Sequence, residues 1–302
     1  MTLQKVMVAG GGTLGSQIAF QSAFHGKDVV LYDISDAALA QARERLEKLA
    51  PQYQLDLRAT PELTDAAEAR IQLTTDMAAA ASDADLVIES IPETVAIKAA
   101  FYQQLAPLLP AKTLIATNSS TFLPSRFAAE TGRPDKYLAM HFANTIWRRN
   151  TVEIMGHPGT DVGVVSAIFD YSKEIGMIPV ILHKEQPGYI LNSLLVPFIN
   201  AAYKLWGTDV ADAHTIDRVW MLATGAPRGP FGVIDVVGLR TSYEIFSQQT
   251  DPVSIAVAAK IKDRINRGYL GMESGRGFYT YPDPEYMQSG FLTGESRTKT
   301  LP

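Results

Sequence analysis

The sequence predicts an α/β protein, an N-terminal Rossmann-type doubly wound sheet followed by an all-α C-terminal domain, as three observations indicate. A glycine-rich turn follows a short apolar run almost at the amino terminus. From residue 28 to about 142, apolar runs alternate with amphipathic stretches, which is typical of βαβ units and a mostly parallel sheet. After about residue 185 the strand signal stops and only helical patterns continue. We therefore expect a sheet domain over residues 1–185 and a helical domain over residues 186–302.

The first element is an apolar strand at residues 5–9, and the turn that leaves it has the glycine spacing of a dinucleotide-binding turn. Gly10 allows a tight turn, Gly12 has no Cβ to block a pyrophosphate, and Gly15 lets the next helix pack closely against the sheet. The backbone amides at the start of that helix, where Thr13 and Leu14 stand, would face the phosphates. The turn therefore predicts a dinucleotide cofactor.

The second strand, at residues 28–32, is followed at once by Asp33. An acidic side chain at this distance from the glycines is placed to accept a hydrogen bond from the adenosine ribose 2′-hydroxyl, and it would repel a 2′-phosphate. Asp33 therefore favours NAD over NADP as the cofactor. The alternative interpretation is a negative charge at the N-terminus of the next helix.

Two helices are predicted between the second and third strands. Ser35 is a suitable N-cap for a helix that runs to about Ala50, and Thr60 with Pro61 begins another. This excursion is too long for a simple crossover, so we expect it to project from the sheet as a helical pair. The later elements follow from the same periodicities, with strands at 71–75, 86–88, 114–116, 137–142, 152–155 and 178–182 and helices at 95–109, 189–206, 212–224, 231–248 and 252–266.

The amino-acid composition argues against several kinds of binding partner and several kinds of catalytic or metal site. The chain has 302 residues, a net charge of -5 and no basic block, so we expect no nucleic-acid partner. It has no cysteine, which excludes disulfides, thiolate metal sites and a cysteine nucleophile, and its 5 histidines lack metal-ligand spacing, so no metal is expected. No apolar run approaches the ~20 residues that cross a bilayer, and the first residues lack a signal-peptide pattern. We therefore expect a cytoplasmic protein without a membrane partner.

His141 is the best candidate for a general base, which an NAD-dependent oxidation of a hydroxyl group requires. It stands near the end of a predicted strand, and doubly wound sheets bind ligands at the carboxyl ends of their strands. Glu153 lies in the next strand-like run, twelve residues further on, and a hairpin-like return would bring imidazole and carboxylate together. By pattern alone, a half-buried histidine and a solvated glutamate are the alternative interpretation.

Several blocks of the chain match, in order, the motifs of one known family. They are Gly10 to Gly15 with Ala19; Glu89 to Glu93 with Lys98; Thr117 to Thr121; His141 to Asn144 with Val152 and Glu153; Pro187 to Pro197; Gly225 to Phe231; and Gly275 to Tyr279. On these blocks the chain resembles the L-3-hydroxyacyl-CoA dehydrogenase family along nearly its whole length. The resemblance implies NAD as the cofactor, an acyl-CoA as the small-molecule substrate and a homodimer as the assembly.

The resemblance also implies roles for individual residues. His141 would take the proton of the substrate hydroxyl as hydride passes to the nicotinamide, and Glu153 would orient the imidazole and stabilise its protonated form. Ser120 and Asn192 would hydrogen-bond the reacting oxygen, and Asn144 would support the same network. The residues implied in cofactor binding are those of the glycine-rich turn together with Asp33, Glu93, Lys98 and Asn118.

The chain departs from the family mainly where a substrate would bind. Ala143 replaces a larger residue, a Trp-Arg-Arg bend follows at residues 147–149, and the excursion at 37–70 is not the basic surface that a CoA phosphate tail would favour. A second hypothesis is therefore dehydrogenation of a small 3-hydroxy acid without CoA, carnitine- or gulonate-like, with an arginine of the bend gripping its carboxylate. A third is a non-catalytic NAD-binding protein, against which His141 and Glu153 argue.

Overall fold

The computed structural model of the chain describes residues 2–294. The chain divides between Ile190 and Leu191 into two compact units. The first unit holds an eight-stranded, mostly parallel sheet with helices on both faces, and the second unit is helical. The predicted fold class, a Rossmann-type sheet followed by an all-α region, is confirmed.

The sheet brings the carboxyl ends of its parallel strands to one edge. Its strands are β1 (Lys5–Ala9), β2 (Asp28–Tyr32), β3 (Ile71–Thr74), β4 (Leu86–Glu89), β5 (Leu114–Thr117), β6 (Tyr137–Phe142), β7 (Thr151–Met155) and β8 (Ile178–Leu182). Their order is β3-β2-β1-β4-β5-β6-β7-β8, with β7 antiparallel to β6 and the other neighbouring pairs parallel. The strand order reverses between β1 and β4, which is where such sheets open a ligand crevice.

Helices cover both faces of the sheet and make up most of the second unit. The first unit has α1 (Thr13–Phe24), α2 (Asp36–Leu57), α3 (Pro61–Ala69), α4 (Met77–Ala81), α5 (Val95–Leu105) and α6 (Val162–Glu174). α7 (Tyr189–Gly207) continues into the second unit, which also has α8 (Ala213–Thr224), α9 (Pro230–Val237), α10 (Leu239–Ser247) and α11 (Pro252–Asn266). Within residues 2–294, none of the helices combines the length and apolar character needed to span a membrane, and no group of three or more potential ligands is arranged to hold a metal ion. The cytoplasmic location stays a prediction.

Alternate residues of the central strands face opposite layers, as the two-residue period of a strand requires. On β1, Val6 and Val8 pack in the core that includes α1, α2 and α6, whereas Met7 and Ala9 pack in the core that includes α4 and α5. The second unit has a separate core, in which aromatic side chains surround the fully buried Tyr203. Helices therefore cover both faces of the sheet, and sheets of this kind bind ligands at the carboxyl ends of their strands.

α2 differs from its prediction in length and in placement. Its N-cap is Ser35, as predicted. The helix continues through Pro51 instead of ending near residue 50, because Tyr53 in the following turn is fully buried against Phe20 of α1, with ring centroids 4.7 Å apart. The predicted projection of α2 and α3 from the sheet is wrong, since apolar side chains of both helices pack in the same core as α1.

The predicted helix at residues 231–248 is instead two helices. Gly238 separates α9 from α10 and has a φ of 95°, a conformation that residues with a Cβ rarely adopt. Apolar periodicity alone did not reveal this break, because the pattern continues on both sides of the glycine.

Candidate active site

The glycine-rich turn joins β1 to α1 at the carboxyl edge of the sheet. Gly10 has a φ of 97°, and a Cβ there would lie 2.5 Å from the carbonyl oxygen of Ser90. A Cβ on Gly15 would lie 1.8 Å from the carbonyl oxygen of Gly10. Both positions therefore require glycine. A Cβ on Gly12 would meet nothing within 4 Å, so the backbone at that position is open to a ligand.

The amides at the start of α1 face the same turn. The first bond of the helix runs from the N–H of Ser16 to the carbonyl oxygen of Gly12, at 2.9 Å. The N–H groups of Thr13, Leu14 and Gly15 precede it and have no acceptor within the helix. Free amides at a helix N-terminus are a suitable cradle for a diphosphate, so these residues fit the dinucleotide that the turn predicts.

Asp33 and Arg45 hold the peptide groups of Gly11 from two sides. Asp33 Oδ2 accepts the N–H of Gly11 at 2.8 Å, and Arg45 Nη1 donates to the Gly11 carbonyl oxygen at 3.0 Å. Among the described residues that line the adjoining cleft of about 630 Å³, Asp33 is the only acidic and Arg45 the only basic side chain. The sequence alone did not identify Arg45 as a residue of the cleft. Ala38, Gln41 and Arg45 are three and four positions apart and so share one face of the helix, and this spacing could have indicated it.

Glu89, the last residue of β4, is a fully buried acceptor of hydrogen bonds. Its Oε1 accepts from Lys98 Nζ at 2.6 Å, and its Oε2 accepts from the hydroxyls of Tyr102 at 2.7 Å and Thr117 at 2.8 Å. Lys98 is equally buried and lies 3.1 Å from Glu93 Oε2, so its ammonium group stands between two carboxylates. The contact of Lys98 with the cofactor stays a prediction.

Glu93 fastens the loop that carries Ser120. Its Oε1 accepts the N–H of Thr121 at 3.0 Å and the hydroxyls of Thr121, at 2.8 Å, and of Ser119. Burial opposes ionisation of this carboxyl, but the Ser119 hydrogen bond and the charge of Lys98 outweigh it, so the pKa of Glu93 lies below its ordinary value. The loop is therefore tied to a carboxylate that stays ionised.

Asn118 connects the cofactor cleft with the strand that carries His141. Its Oδ1 accepts the N–H of Phe142 at 3.0 Å, and its Nδ2 donates to the hydroxyl of Ser90, a residue of the cleft lining, at 3.3 Å. The position of Phe142, the residue after His141, is thus linked to the cleft. Direct contact of Asn118 or Glu93 with the cofactor stays a prediction.

The pairing of β6 with β7 places His141 directly opposite Glu153. The imidazole Nδ1 lies 3.0 Å from Glu153 Oε2, and both side chains are buried. The imidazole Nε2 lies 3.1 Å from the hydroxyl of Ser120, which is exposed. Ser120, His141 and Glu153 therefore form a chain of hydrogen bonds that reaches the surface at Ser120, an arrangement suited to moving a proton.

The bend between β6 and β7 is fastened to two helices. Gln17 of α1 accepts the N–H groups of Thr145, at 2.9 Å, and Ile146, at 3.3 Å, through its Oε1. The indole N–H of Trp147 donates to Asp56 Oδ2 of α2 at 2.8 Å. The bend is thus held by specific side chains, and neither Gln17 nor Asp56 was singled out in the sequence.

Three other residues that were predicted to contact the substrate or the base lie outside this chain of hydrogen bonds. Arg148 Nη1 lies 3.7 Å from Asp56 Oδ1, so a carboxylate already partly neutralises this guanidinium, which was a candidate to grip a substrate. Asn144 is exposed, and among the contacts of the described residues it has no hydrogen bond to His141. Asn192 lies on α7 in the second unit. The roles of Asn144 and Asn192 at the reacting oxygen stay predictions.

Two family models together match most of the chain. Residues 5–186 match the 3-hydroxyacyl-CoA dehydrogenase NAD binding domain, and residues 188–281 match the 3-hydroxyacyl-CoA dehydrogenase C-terminal domain. The match to an NAD binding domain agrees with the open Gly12 position and with Asp33 beside the turn.

Similar proteins cover nearly the same length. The mitochondrial hydroxyacyl-coenzyme A dehydrogenase of Sus scrofa is 32% identical in an alignment of 295 positions that covers 92% of this chain and 91% of that enzyme. The probable 3-hydroxybutyryl-CoA dehydrogenase of Bacillus subtilis (strain 168) is 30% identical over 287 residues, 94% of this chain and 99% of that enzyme. A solved structure from work on the substrate-directed dual catalysis of dicarbonyl compounds by diketoreductase is 47% identical, with a TM-score of 0.89, and covers 93% of this chain and 100% of that one.

These matches decide the cofactor and the class of enzyme. The cofactor is NAD, as predicted, and the protein is an NAD-dependent oxidoreductase. The alternative of a non-catalytic NAD-binding protein is set aside, because the relatives are dehydrogenases. From its fold, its nucleotide turn and two domain matches in sequence, the chain belongs to the 3-hydroxyacyl-CoA dehydrogenase family.

Proposed function

We propose that this protein interconverts an L-3-hydroxyacyl-CoA and the corresponding 3-oxoacyl-CoA, with His141 as the general base and acid. The observation that carries the proposal is the chain of hydrogen bonds from Ser120 through His141 to Glu153. It stands at the same carboxyl edge of the sheet as the glycine-rich turn, and Asn118 links the two places. A base beside a dinucleotide cleft is what oxidation of a hydroxyl group requires.

In the proposed mechanism, the proton and the hydride of the substrate go to different acceptors. When bound, NAD supplies the carbon that accepts or returns the hydride. Glu153 accepts the N–H at Nδ1 of His141, which leaves Nε2 to take the proton of the substrate's 3-hydroxyl and to return it in the reverse direction. The Ser120 hydroxyl, 3.1 Å from Nε2, holds the reacting oxygen beside the base. Glu153 then stabilises the imidazolium that forms.

The remaining predicted residues have supporting roles in this proposal. Asn192 and Asn144 add hydrogen bonds to the reacting oxygen or to the base. Three residues would contribute to cofactor binding by holding the Ser120 loop and the strand ends beside the cleft in place: Glu93, Lys98 and Asn118.

A second candidate is reduction of a small dicarbonyl compound without CoA. It is favoured by the 47% identity to the diketoreductase structure over 93% of this chain. The excursion at residues 37–70 also supports it, because two of its basic residues are engaged within the protein: Arg45 of α2 binds the Gly11 carbonyl, and Arg70, which follows α3, pairs with Asp28. Those guanidinium groups are less available to the phosphates of a CoA tail.

The two candidates differ in the substrate that gives the highest kcat/KM. We would measure NADH oxidation with acetoacetyl-CoA, acetoacetate and a 3,5-dioxo ester, and NAD reduction with 3-hydroxybutyrate and carnitine. The CoA proposal expects a kcat/KM for acetoacetyl-CoA about 100-fold above those of the free compounds. A kcat/KM for the dioxo ester equal to or above that of acetoacetyl-CoA would refute it in favour of the second candidate.

We also propose that the protein is a homodimer formed through its second unit. On α7 and α8, Leu194, Val219 and Leu222 are 70%, 62% and 59% exposed. The two helices are in contact through Phe198 and Trp220, and large exposed apolar side chains on adjoining helices indicate an interaction surface. Light scattering should give twice the chain mass, and Val219→Lys should give a monomer; a wild-type monomer at micromolar concentration would refute the proposal.

A further inference from the structure

Tyr189, the first residue of α7, lies flat against the imidazole of His141. The two ring centroids are 4.4 Å apart and the ring planes differ by 14°. The tyrosine is almost completely buried, and its hydroxyl donates to the carbonyl oxygen of Ser119 at 2.7 Å. That carbonyl belongs to the peptide group that leads into Ser120. Tyr189 therefore contacts the base by its ring and the Ser120 loop by its hydroxyl.

The backbone at the start of α7 adds a third connection. Gly188 and Tyr189 both have positive φ values, 77° and 54°. A tyrosine rarely adopts this left-handed conformation, which persists only where the surroundings enforce it. In the next residue, the N–H of Ile190 donates to Glu153 Oε1 at 2.8 Å, so the turn is anchored on the carboxylate that also accepts from His141.

We propose that Tyr189 is a positioning residue for the reaction, which fixes the plane of the His141 imidazole and its distance from Ser120; the proposal rests on the function proposed above. Glu153 and Ser120 lie within hydrogen-bond distance of the two ring nitrogens, whose N–H bond and lone pair lie in the plane of the ring. Such bonds do little to prevent the ring from tilting out of that plane. A second ring stacked on its face does prevent it.

The same contact favours the protonated form of the base. An aromatic face attracts a cation lying over it, so the Tyr189 ring stabilises the imidazolium that forms when His141 takes the substrate proton. Burial raises the pKa of the Tyr189 phenol, so its hydroxyl keeps the proton that it donates to Ser119. Tyr189 was not singled out in the sequence beyond its place in the block from Pro187 to Pro197.

The test compares Tyr189→Leu, which removes the stacked ring, with Tyr189→Phe, which keeps it. We expect Tyr189→Leu to lower kcat about 30-fold while KM for acetoacetyl-CoA and Kd for NADH change by less than about twofold. Tyr189→Phe should retain kcat within about fivefold, as rescue by the remaining ring. If Tyr189 had only a structural role, both substitutions would lower the stability of the protein, and Tyr189→Leu would not lower kcat selectively while KM and Kd stay unchanged.

The matched control is Tyr171→Leu. Tyr171 is as buried as Tyr189 and its hydroxyl bonds to Ser22, away from the proposed site. This control should lose comparable stability but keep kcat within about twofold. A kcat for Tyr189→Leu equal to that of the control would overturn the proposal.

Two further measurements keep the outcome clear. The first is the NMR spectrum of the His141 imidazole protons, which are assigned by their loss in His141→Gln. In wild type the Tyr189 ring should shift these protons upfield, and Tyr189→Phe should retain the shift. An unshifted wild-type resonance would overturn the proposal even if Tyr189→Leu does not fold. An active His141→Gln variant would refute the proposed function itself. An inactive His141→Gln variant combined with a fully active Tyr189→Leu variant would refute only the role of Tyr189.

Discussion

Glu153 stands directly across the β6–β7 pair from His141, and their side chains meet at 3.0 Å on the same face of the sheet. Opposed residues of an antiparallel pair have their Cβ atoms about 5 Å apart, which is the separation an imidazole and a carboxylate need for one hydrogen bond. The second oxygen of Glu153 accepts the N–H of Ile190. The carboxylate is therefore fixed from two directions.

Replacing Glu153 by Gln should lower kcat by about 10²- to 10⁴-fold, because the amide neither enforces the same imidazole tautomer nor stabilises its protonated form. The Kd for NADH should be unchanged, since the cofactor cleft is untouched. Steady-state kinetics and a fluorescence titration with NADH measure the two quantities. Glu174→Gln, at a surface residue that pairs with Lys27, is the control; wild-type turnover by the Glu153 variant would remove this residue from the mechanism.

Replacing Asp33 by Ala should weaken NADH binding about tenfold and leave NADPH binding unchanged or tighter. The carboxylate bonds the N–H of Gly11 and carries the only negative charge in the described lining of the cleft, so its loss removes both a ribose acceptor and the repulsion of a 2′-phosphate. Isothermal titration with both cofactors gives the ratio of Kd values. A wild-type protein that binds the two cofactors equally would contradict the role of Asp33.

Replacing Arg45 by Ala should raise the Kd for NADH about fivefold and make binding less sensitive to salt. The reason is that Arg45 is the only basic side chain in the described lining of the cleft and braces the Gly11 carbonyl. Arg43→Ala changes an exposed arginine of the same helix and serves as the control. Equal Kd values for the two variants at low and high salt would show that Arg45 has no part in cofactor binding.

Replacing Lys98 by Met should lower the free energy of unfolding by about 3 to 5 kcal/mol, because Glu89 would remain buried without its cation. Adding Glu89→Gln should recover part of that loss, since the uncompensated charge is then gone. Urea unfolding of the single and double variants tests this. Lys5→Met, at an exposed pair with Asp83, should leave the stability almost unchanged. A double variant no more stable than Lys98→Met would contradict the electrostatic explanation.

The parts of the site that the sequence predicts well are set by local geometry. Gly10, Gly12 and Gly15 follow from backbone conformation and close approach, and the twelve-residue gap between His141 and Glu153 fits a hairpin in which the two residues face each other. Short-range patterns of this kind are visible without knowing how distant elements pack.

The parts that the sequence did not predict depend on distant packing. Tyr189 contacts His141 across 48 positions, and Arg45 reaches Gly11 across 34. Nothing in the local pattern of either residue specifies its partner. The same reason accounts for α2, where burial of Tyr53 against α1 overrides the helix-breaking tendency of Pro51.

Asp217 of α8 is a buried carboxyl that caps another helix. Its Oδ1 accepts the N–H of Phe231 at 2.8 Å, and its Oδ2 accepts the N–H of Gly232 at 2.9 Å and the hydroxyl of Tyr279 at 2.8 Å. Burial raises the pKa of Asp217 to about 6, although these three hydrogen bonds oppose the shift. The protonated carboxyl is therefore favoured more in the folded state than in the unfolded state.

The raised pKa makes stability fall as pH rises. Below about pH 4, the pKa of aspartate in the unfolded chain, the stabilising contribution of Asp217 is fully present. It is lost as pH rises through the folded pKa of about 6. The total change in the free energy of unfolding is about 3 kcal/mol. Other carboxyls titrate in the same range, so the measured quantity is the difference in this free energy between wild type and Asp217→Asn, from urea unfolding at pH 4 to 7.5. Relative to Asp217→Asn, the wild type should lose about 2.5 kcal/mol of its free energy of unfolding between pH 4 and pH 7.5. A difference that is constant, or that moves in favour of the wild type, would mean that the three hydrogen bonds outweigh burial and keep Asp217 ionised in the folded protein.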